Sequence, residues 1–136
     1  MQPRSPRGQP LPLVTPVTKP YFDAARENRL LLQKCPRDGF FFYPREFCPR
    51  CLQADWQWQE ARKQGAVYSY TIDHMGQEPG LRGFTPFAIA VVDLIDGPRM
   101  IGNVCGFDLD GLAVGKTVSI YFQHTENSPI LFFRPE

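Results

Sequence analysis

Residues 35–51 read CPRDGFFFYPREFCPRC. Two tight turns, Cys35-Pro-Arg-Asp38-Gly39 and Cys48-Pro-Arg-Cys51-Leu52, bracket an aromatic run. A two-residue gap between donors lets such a turn aim both side chains at one ion, with backbone N–H groups toward the sulfurs. Two complete C-x2-C turns would mark a zinc ribbon. Here Asp38 stands where the second cysteine of the first turn would be, so three thiolates are certain as residue types. The fourth position is open to three arrangements: a carboxylate oxygen of Asp38, a water or another side chain, or no metal, with the ribbon held by packing. One zinc ion in a structural role is the expectation, because a ribbon this small has little core of its own. No His–Glu arrangement lies nearby to make the metal catalytic.

The flanks supply the strands that such turns need. RLLLQKC reads as a short apolar strand through Leu30, Leu31 and Leu32, FFFYPR as a second, and WQWQ, with Trp56 and Trp58 alternating with glutamines, as a third. Further upstream, Pro20 suits the first turn of a helix. Thr18 is its expected N-cap, Tyr21, Ala24 and Ala25 share a face, and Asn28 can close it in the left-handed conformation. Residues 1–19 carry five prolines and read as an extended arm.

From Gly65 onward the pattern changes. AVYSYTIDH alternates, loop 75–86 is rich in Gly and Pro, FAIAVVDLI is strongly apolar, and Asp96-Gly97 makes a hairpin turn into RMIGNVCGF. After a turn-rich connection come TVSIYFQH and ILFF. Five strands in ~70 residues predict a Greek-key barrel of the OB type, with a β-sandwich as the alternative. The expected fold is mostly β, divided into an arm over 1–19, a helix and zinc ribbon over 20–64, and a five-stranded barrel over 65–136. Cys105 falls in an apolar strand and is expected as a small buried core residue.

Charge follows the same division. The chain has 15 basic and 14 acidic residues; residues 1–64 are net +5 and residues 65–136 net −4. That balance excludes a protein gripping phosphate backbone over its whole surface. With 43% hydrophobic and 13% aromatic residues, wholesale disorder is excluded too. No apolar run reaches the ~18 residues of a membrane span, and MQPRSPRGQP lacks the apolar stretch of a signal peptide. A cytoplasmic protein is the expectation.

The order of these features carries a resemblance. PYFDAARENRLLLQKC, FFFYPREFCPRC, GAVYSYT, FAIAVVDL and LAVGKTVSIYF, spread over residues 20–133, are similar to the zinc-ribbon plus OB-fold proteins of domain-of-unknown-function family thirty-five. The resemblance implies a rubredoxin-like ribbon ahead of the barrel. It also implies a role: a non-catalytic accessory subunit, in a hetero-oligomer with a thiolase-superfamily subunit that condenses or cleaves acyl-CoA, or with an acyl-CoA hydratase. Such a subunit supports its partner and contributes to the acyl-CoA site. The family usually has Cys where this chain has Asp38, which puts the four-thiolate site in question and leaves the fold untouched.

The residues add their own reading. A small ribbon cannot bury every aromatic of Phe40–Tyr43, Phe47, Trp56 and Trp58, and an apolar patch with an arginine rim is interface composition. Phe40, Phe42, Tyr43, Arg45, Arg50 and, beside the long loop, His74 are the candidate contacts to a partner or to CoA. The alternative class is a single-stranded nucleic-acid binder, with Tyr68, Tyr70, Tyr121 and Phe122 as stacking aromatics. Period-two placement assigns those four to the barrel core instead, and the net charge of −4 opposes phosphate. His74 and His124 read as surface histidines, and no Ser–His–Asp spacing or paired-carboxylate motif stands out.

Overall fold

A computed structural model describes residues 10–125 and 128–136. The expected arm over 1–19 therefore lies partly outside the described residues. Helix α1 spans Lys19–Arg26 and buries Tyr21, Phe22, Ala24 and Ala25 on one face. It ends as the sequence predicts. Asn28 has φ 59°, its N–H donates to the Ala25 carbonyl at 3.0 Å, and the Arg29 N–H donates to that of Ala24 at 3.0 Å, a left-handed cap with both bonds of the Schellman arrangement. Thr18 sits at the N-cap position but does not cap with its side chain. Its hydroxyl turns back to accept the Thr15 N–H at 2.8 Å, because residues 15–18 form a turn of their own.

Strands β1 (Leu30–Cys35), β2 (Gly39–Phe41) and β3 (Gln57–Ala61) form an antiparallel sheet in the order β2-β1-β3. The strand expected over FFFYPR stops at Phe41. Beyond Gln33↔Phe41 the ladder ends, and the Gln33 side chain takes over. Its amide nitrogen donates to the Arg45 carbonyl at 2.6 Å and its oxygen accepts the Arg45 N–H at 2.8 Å. Trp56 lies just before β3 rather than in it.

Strands β4 (Gln64–Asp73), β5 (Phe87–Leu94), β6 (Arg99–Val104), β7 (Thr117–Gln123) and β8 (Ile130–Pro135) close a barrel in the order β4-β5-β6-β8-β7. The β6–β8 pairing is parallel and the rest are antiparallel. This is the five-stranded OB barrel, and the sandwich alternative falls away. The backbones approach closely at Gly65, where a Cβ would collide with the Asp93 carbonyl oxygen, which explains the glycine. Loop 75–86 contains a 3-10 turn over Pro79–Phe84, and a second over Gly106–Gly111 joins β6 to β7. One continuous core runs across residue 65: Phe22, Ala25, Leu30 and Leu32 pack in the same cluster as Ala88, Val92, Met100 and Phe133.

Two expectations about the barrel are corrected. Tyr68 and Tyr70 are exposed, not core. The β4–β5 register slips between Val67 and Ser69, so Tyr68 is an extra residue in a β-bulge that bends the strand and breaks the alternation. Its ring is covered on the outside by the Arg99 guanidinium, 3.7 Å from the ring centre. Cys105 is half-buried on the outer face, at the end of β6, with its thiol 3.4 Å from the Tyr121 hydroxyl. Of the four aromatics only Phe122 is fully inside, and Tyr121 stacks on Phe132 at 5.5 Å. Among the described residues no helix is long and apolar enough to cross a membrane.

Candidate metal centre

The two knuckles are copies in backbone as well as sequence. Each runs Cys-Pro-Arg-x and then a residue with positive φ: Gly39 at 81° and Leu52 at 60°. In the second knuckle the Leu52 N–H donates to the Cys48 carbonyl and the Cys48 N–H donates to the Gln53 carbonyl, both at 2.9 Å. β1 delivers Cys35 at its last position and Asp38 follows in the turn. The Gln33 clip holds residue 45 against β1, which brings the second knuckle over the first. The Trp56 indole N–H donates to the Glu46 carbonyl at 2.7 Å and braces the same segment.

The result is a convergent donor set. One ligand atom from each of Cys35, Asp38, Cys48 and Cys51 lies within 4.8 Å of the others. A tetrahedral zinc with bonds of about 2.3 Å to sulfur and about 2.0 Å to oxygen spaces its sulfurs about 3.8 Å apart and sulfur from oxygen about 3.5 Å apart. Here Cys35 Sγ to Cys51 Sγ is 3.6 Å, Cys35 Sγ to Asp38 Oδ2 is 3.7 Å and Cys48 Sγ to Asp38 Oδ2 is 3.4 Å. Those edges match a tetrahedron with one oxygen corner. Cys35 and Cys48 are buried and packed on Phe41, while Cys51 is half-buried.

Arg37, the arginine of the first turn, completes the centre. Its guanidinium donates to Cys51 Sγ at 3.4 Å and to both carboxylate oxygens of Asp55, at 2.5 and 3.0 Å. The arginine holds the Cys51 thiol below the usual thiol range and the Asp55 carboxyl below the usual carboxylate range. Charge-assisted bonds of this kind quiet the negative charge that three thiolates and a carboxylate bring together. Gln33 was missed by the sequence reading; its signal was a polar residue inside an apolar strand.

The candidate contact residues do not form one group. Phe40 and Phe42 are partly buried against the main core. Tyr43 is exposed beside them, and Arg45 donates to the Tyr43 carbonyl at 3.0 Å. Arg50 is exposed and lines, with Asp38 and Arg99, a polar cleft of about 590 Å³ between the knuckles and the β5–β6 hairpin. Phe47 and Leu52 are the exposed apolar residues at the knuckle tips. His74 is elsewhere: it follows the far end of β4, about eight strand residues from Gly65, or ~26 Å.

Comparison with known proteins agrees with this architecture. Residues 22–57 match a family described as "ChsH2, rubredoxin-like zinc ribbon domain", and residues 58–123 match "ChsH2, C-terminal OB-fold domain". A solved structure described as "Ltp2-ChsH2(DUF35) aldolase" is similar to the chain with a TM-score of 0.76 and 29% identity, over 92% of this chain and 98% of that one. The chain is 30% identical to the "Probable enoyl-CoA hydratase alpha subunit" of Thermomonospora curvata over 93% of its own length and 40% of the relative's. It is 25% identical to a "DUF35 domain-containing scaffold protein" of Methanocaldococcus jannaschii, over 66% of this chain and 64% of the relative. The chain thus spans less than two thirds of each of these two curated relatives.

Proposed function

Because the chain belongs to the DUF35-type family of zinc-ribbon plus OB-fold proteins, we propose that it is a non-catalytic accessory subunit of an acyl-CoA-processing complex. Its partner is a thiolase-like enzyme that condenses or cleaves acyl-CoA. The observation that carries this reading is likeness along the whole chain to the DUF35 component of the Ltp2-ChsH2 aldolase; relatives named as a hydratase alpha subunit and as a scaffold point the same way. The knuckle tips make the contact: Phe47 and Leu52 are exposed apolar groups there, with Arg50 exposed in the same knuckle, and apolar residues edged by arginine are interface composition. Affinity tagging in the native host tests this. An acyl-CoA enzyme should co-purify in fixed ratio and be lost from a Phe47→Asp, Leu52→Asp variant. Recovery of nucleic acid without such an enzyme would overturn the reading in favour of the single-strand binder.

The centre itself is assigned one structural zinc, held by Cys35, Cys48, Cys51 and Asp38. When bound, the ion cross-links two turns that share little core. The chain's own residues fix the donor positions: Gln33 aligns the segments and Arg37 stabilises the exposed sulfur. Metal analysis of purified protein should find about one zinc per chain. Asp38→Ala should lower occupancy at a fixed chelator concentration and Asp38→Cys should raise it. Equal occupancy in all three proteins would remove Asp38 from the ligand set.

A further inference from the structure

The three thiols at the knuckles are not equally open. Cys35 and Cys48 are each 1% exposed, while Cys51 is half-buried and reaches solvent. Two groups meet its sulfur. The Arg37 guanidinium donates to Cys51 Sγ at 3.4 Å, and Cys35 Sγ lies 3.6 Å away in the other knuckle. The guanidinium is itself kept in place by Asp55, which accepts from both of its terminal nitrogens. A partly open sulfur beside a fixed cation and a second sulfur is the arrangement of a thiol that reacts with peroxide and is then resolved. Asp38 gives that arrangement a consequence. The donor set holds three thiolates rather than four. Joining two of them leaves one sulfur and one carboxylate, too few donors for a tetrahedral ion.

We propose that Cys51 is a modification site for small hydroperoxides, with Cys35 as the resolving thiol and loss of the metal as the outcome. The loss of metal rests on the zinc assignment above. The Cys51 thiolate attacks one oxygen of hydrogen peroxide. An S–O bond forms, the O–O bond breaks, and the departing hydroxide takes a proton from solvent to leave as water. Arg37 stands at that sulfur with N–H groups to steady the charge on the departing oxygen. The Cys35 thiolate then attacks the sulfenic sulfur of Cys51. An S–S bond forms, the S–O bond breaks, and a second hydroxide is protonated to water. Each sulfur has given up one electron, and the peroxide has become two waters. The disulfide ties one knuckle to the other in place of the ion, and Cys48 and Asp38 cannot retain it alone. Cys105 is the internal contrast. It is half-buried too, but its sulfur meets the Tyr121 hydroxyl at 3.4 Å rather than a guanidinium and a second sulfur.

Trypsin places each cysteine on its own peptide: CPR for Cys35, EFCPR for Cys48, CLQADWQWQEAR for Cys51 and MIGNVCGFDLDGLAVGK for Cys105. The purified full-length chain is treated with hydrogen peroxide while a metallochromic dye follows zinc release. Remaining thiols are then blocked with N-ethylmaleimide and the peptides mapped by mass. CPR should become linked to CLQADWQWQEAR in step with release of the metal, and dithiothreitol should restore both thiols. Dimedone present during a brief exposure should label Cys51 before Cys35. Cys105 should be oxidised about tenfold more slowly than Cys51. A chain that carries no zinc at the outset would sink the metal assignment alone, because the peptide link is read without it. The inference is overturned by a link between EFCPR and CLQADWQWQEAR, by dimedone arriving first on Cys35, or by equal oxidation rates at Cys51 and Cys105. Zinc retained on the linked chain overturns it as well.

Discussion

Phe133 and Cys48 are both almost fully buried, yet what surrounds them differs in kind. Phe133 sits in a cluster of nineteen buried residues drawn from the helix, the ribbon sheet and every barrel strand. Cys48 shares its cluster with two other buried residues, Cys35 and Phe41. The barrel end is held by area removed from water, which is non-directional and tolerant of small shifts. The knuckle end has too little apolar surface for that and is held by directional groups: four donors, the Gln33 clip, the Trp56 indole and the Arg37–Asp55 pair. The same chain thus has two stability mechanisms, and perturbations should separate them.

The largest effect is expected in the barrel. Phe133→Ala removes a fully buried ring and should cost about 3–5 kcal/mol. The loss should be global, because the helix and the roots of the ribbon strands share that core. Urea unfolding followed by tyrosine and tryptophan signals together would show one shifted transition. If the tryptophan signal from Trp56 kept its midpoint, the knuckle end would be independent of the barrel and the shared core would be misassigned.

A smaller, localised effect is expected at the other end. Gln33→Leu keeps the volume and leaves the Arg45 N–H and carbonyl without their partners, a cost of about 1–3 kcal/mol. Hydrogen exchange should accelerate at residues 40–56 and stay slow in β5 and β6. The same variant should lose zinc faster to a chelator, though none of the proposed ligands is changed. Uniform acceleration along the chain would contradict the separation of the two ends.

How far the sequence revealed this division depends on which mechanism governs each residue. Apolar runs bounded by turn residues made β1 and β5 readable, and the Asp96-Gly97 dipeptide marked the hairpin turn between β5 and β6. The left-handed cap at Asn28 was readable from residue type. The bulge at Tyr68 was not, since AVYSYT alternates without a break and the slip belongs to pairing with β5. The end of β2 at Phe41 was hidden for a related reason: it is set by the Gln33 side chain, twelve residues away from Arg45. Donor spacing marked Cys35, Asp38, Cys48 and Cys51 as candidates, while Arg37 and Asp55 become meaningful only when folding brings them together.

Acid should loosen the seam between the ends before it unfolds either. Asp96, in the β5–β6 hairpin, accepts the Arg62 guanidinium at 2.9 Å and the Arg62 backbone N–H at 2.7 Å. Those bonds, the guanidinium first, hold its carboxyl below the usual carboxylate range. A depressed carboxyl contributes stability that is present above the ordinary carboxylate range and fades as pH falls through the folded value. The Arg62 amide should therefore lose exchange protection as pH is lowered through the carboxylate range, and Asp96→Asn should flatten that dependence. An identical acid profile in the variant would show that Asp96 does not couple the two ends.

The smallest expected change has the opposite sign. Leu52 occupies the left-handed position that Gly39 fills in the matching knuckle, and a side chain there costs roughly 1–2 kcal/mol. Its side chain is 70% exposed, so little packing offsets that strain. Leu52→Gly should therefore raise stability, by about 0.5–1 kcal/mol once the extra freedom of glycine in the unfolded chain is counted. Strain kept at an exposed apolar residue is a mark of a contact made outside the chain. The variant should accordingly be more stable to heat and weaker in complex with the co-purified enzyme. If it gains stability and binds as well as the parent, Leu52 is idle and the contact surface lies with Phe47. If it loses stability, the leucine is packed in solution, and the knuckle end has more core than its three buried residues indicate.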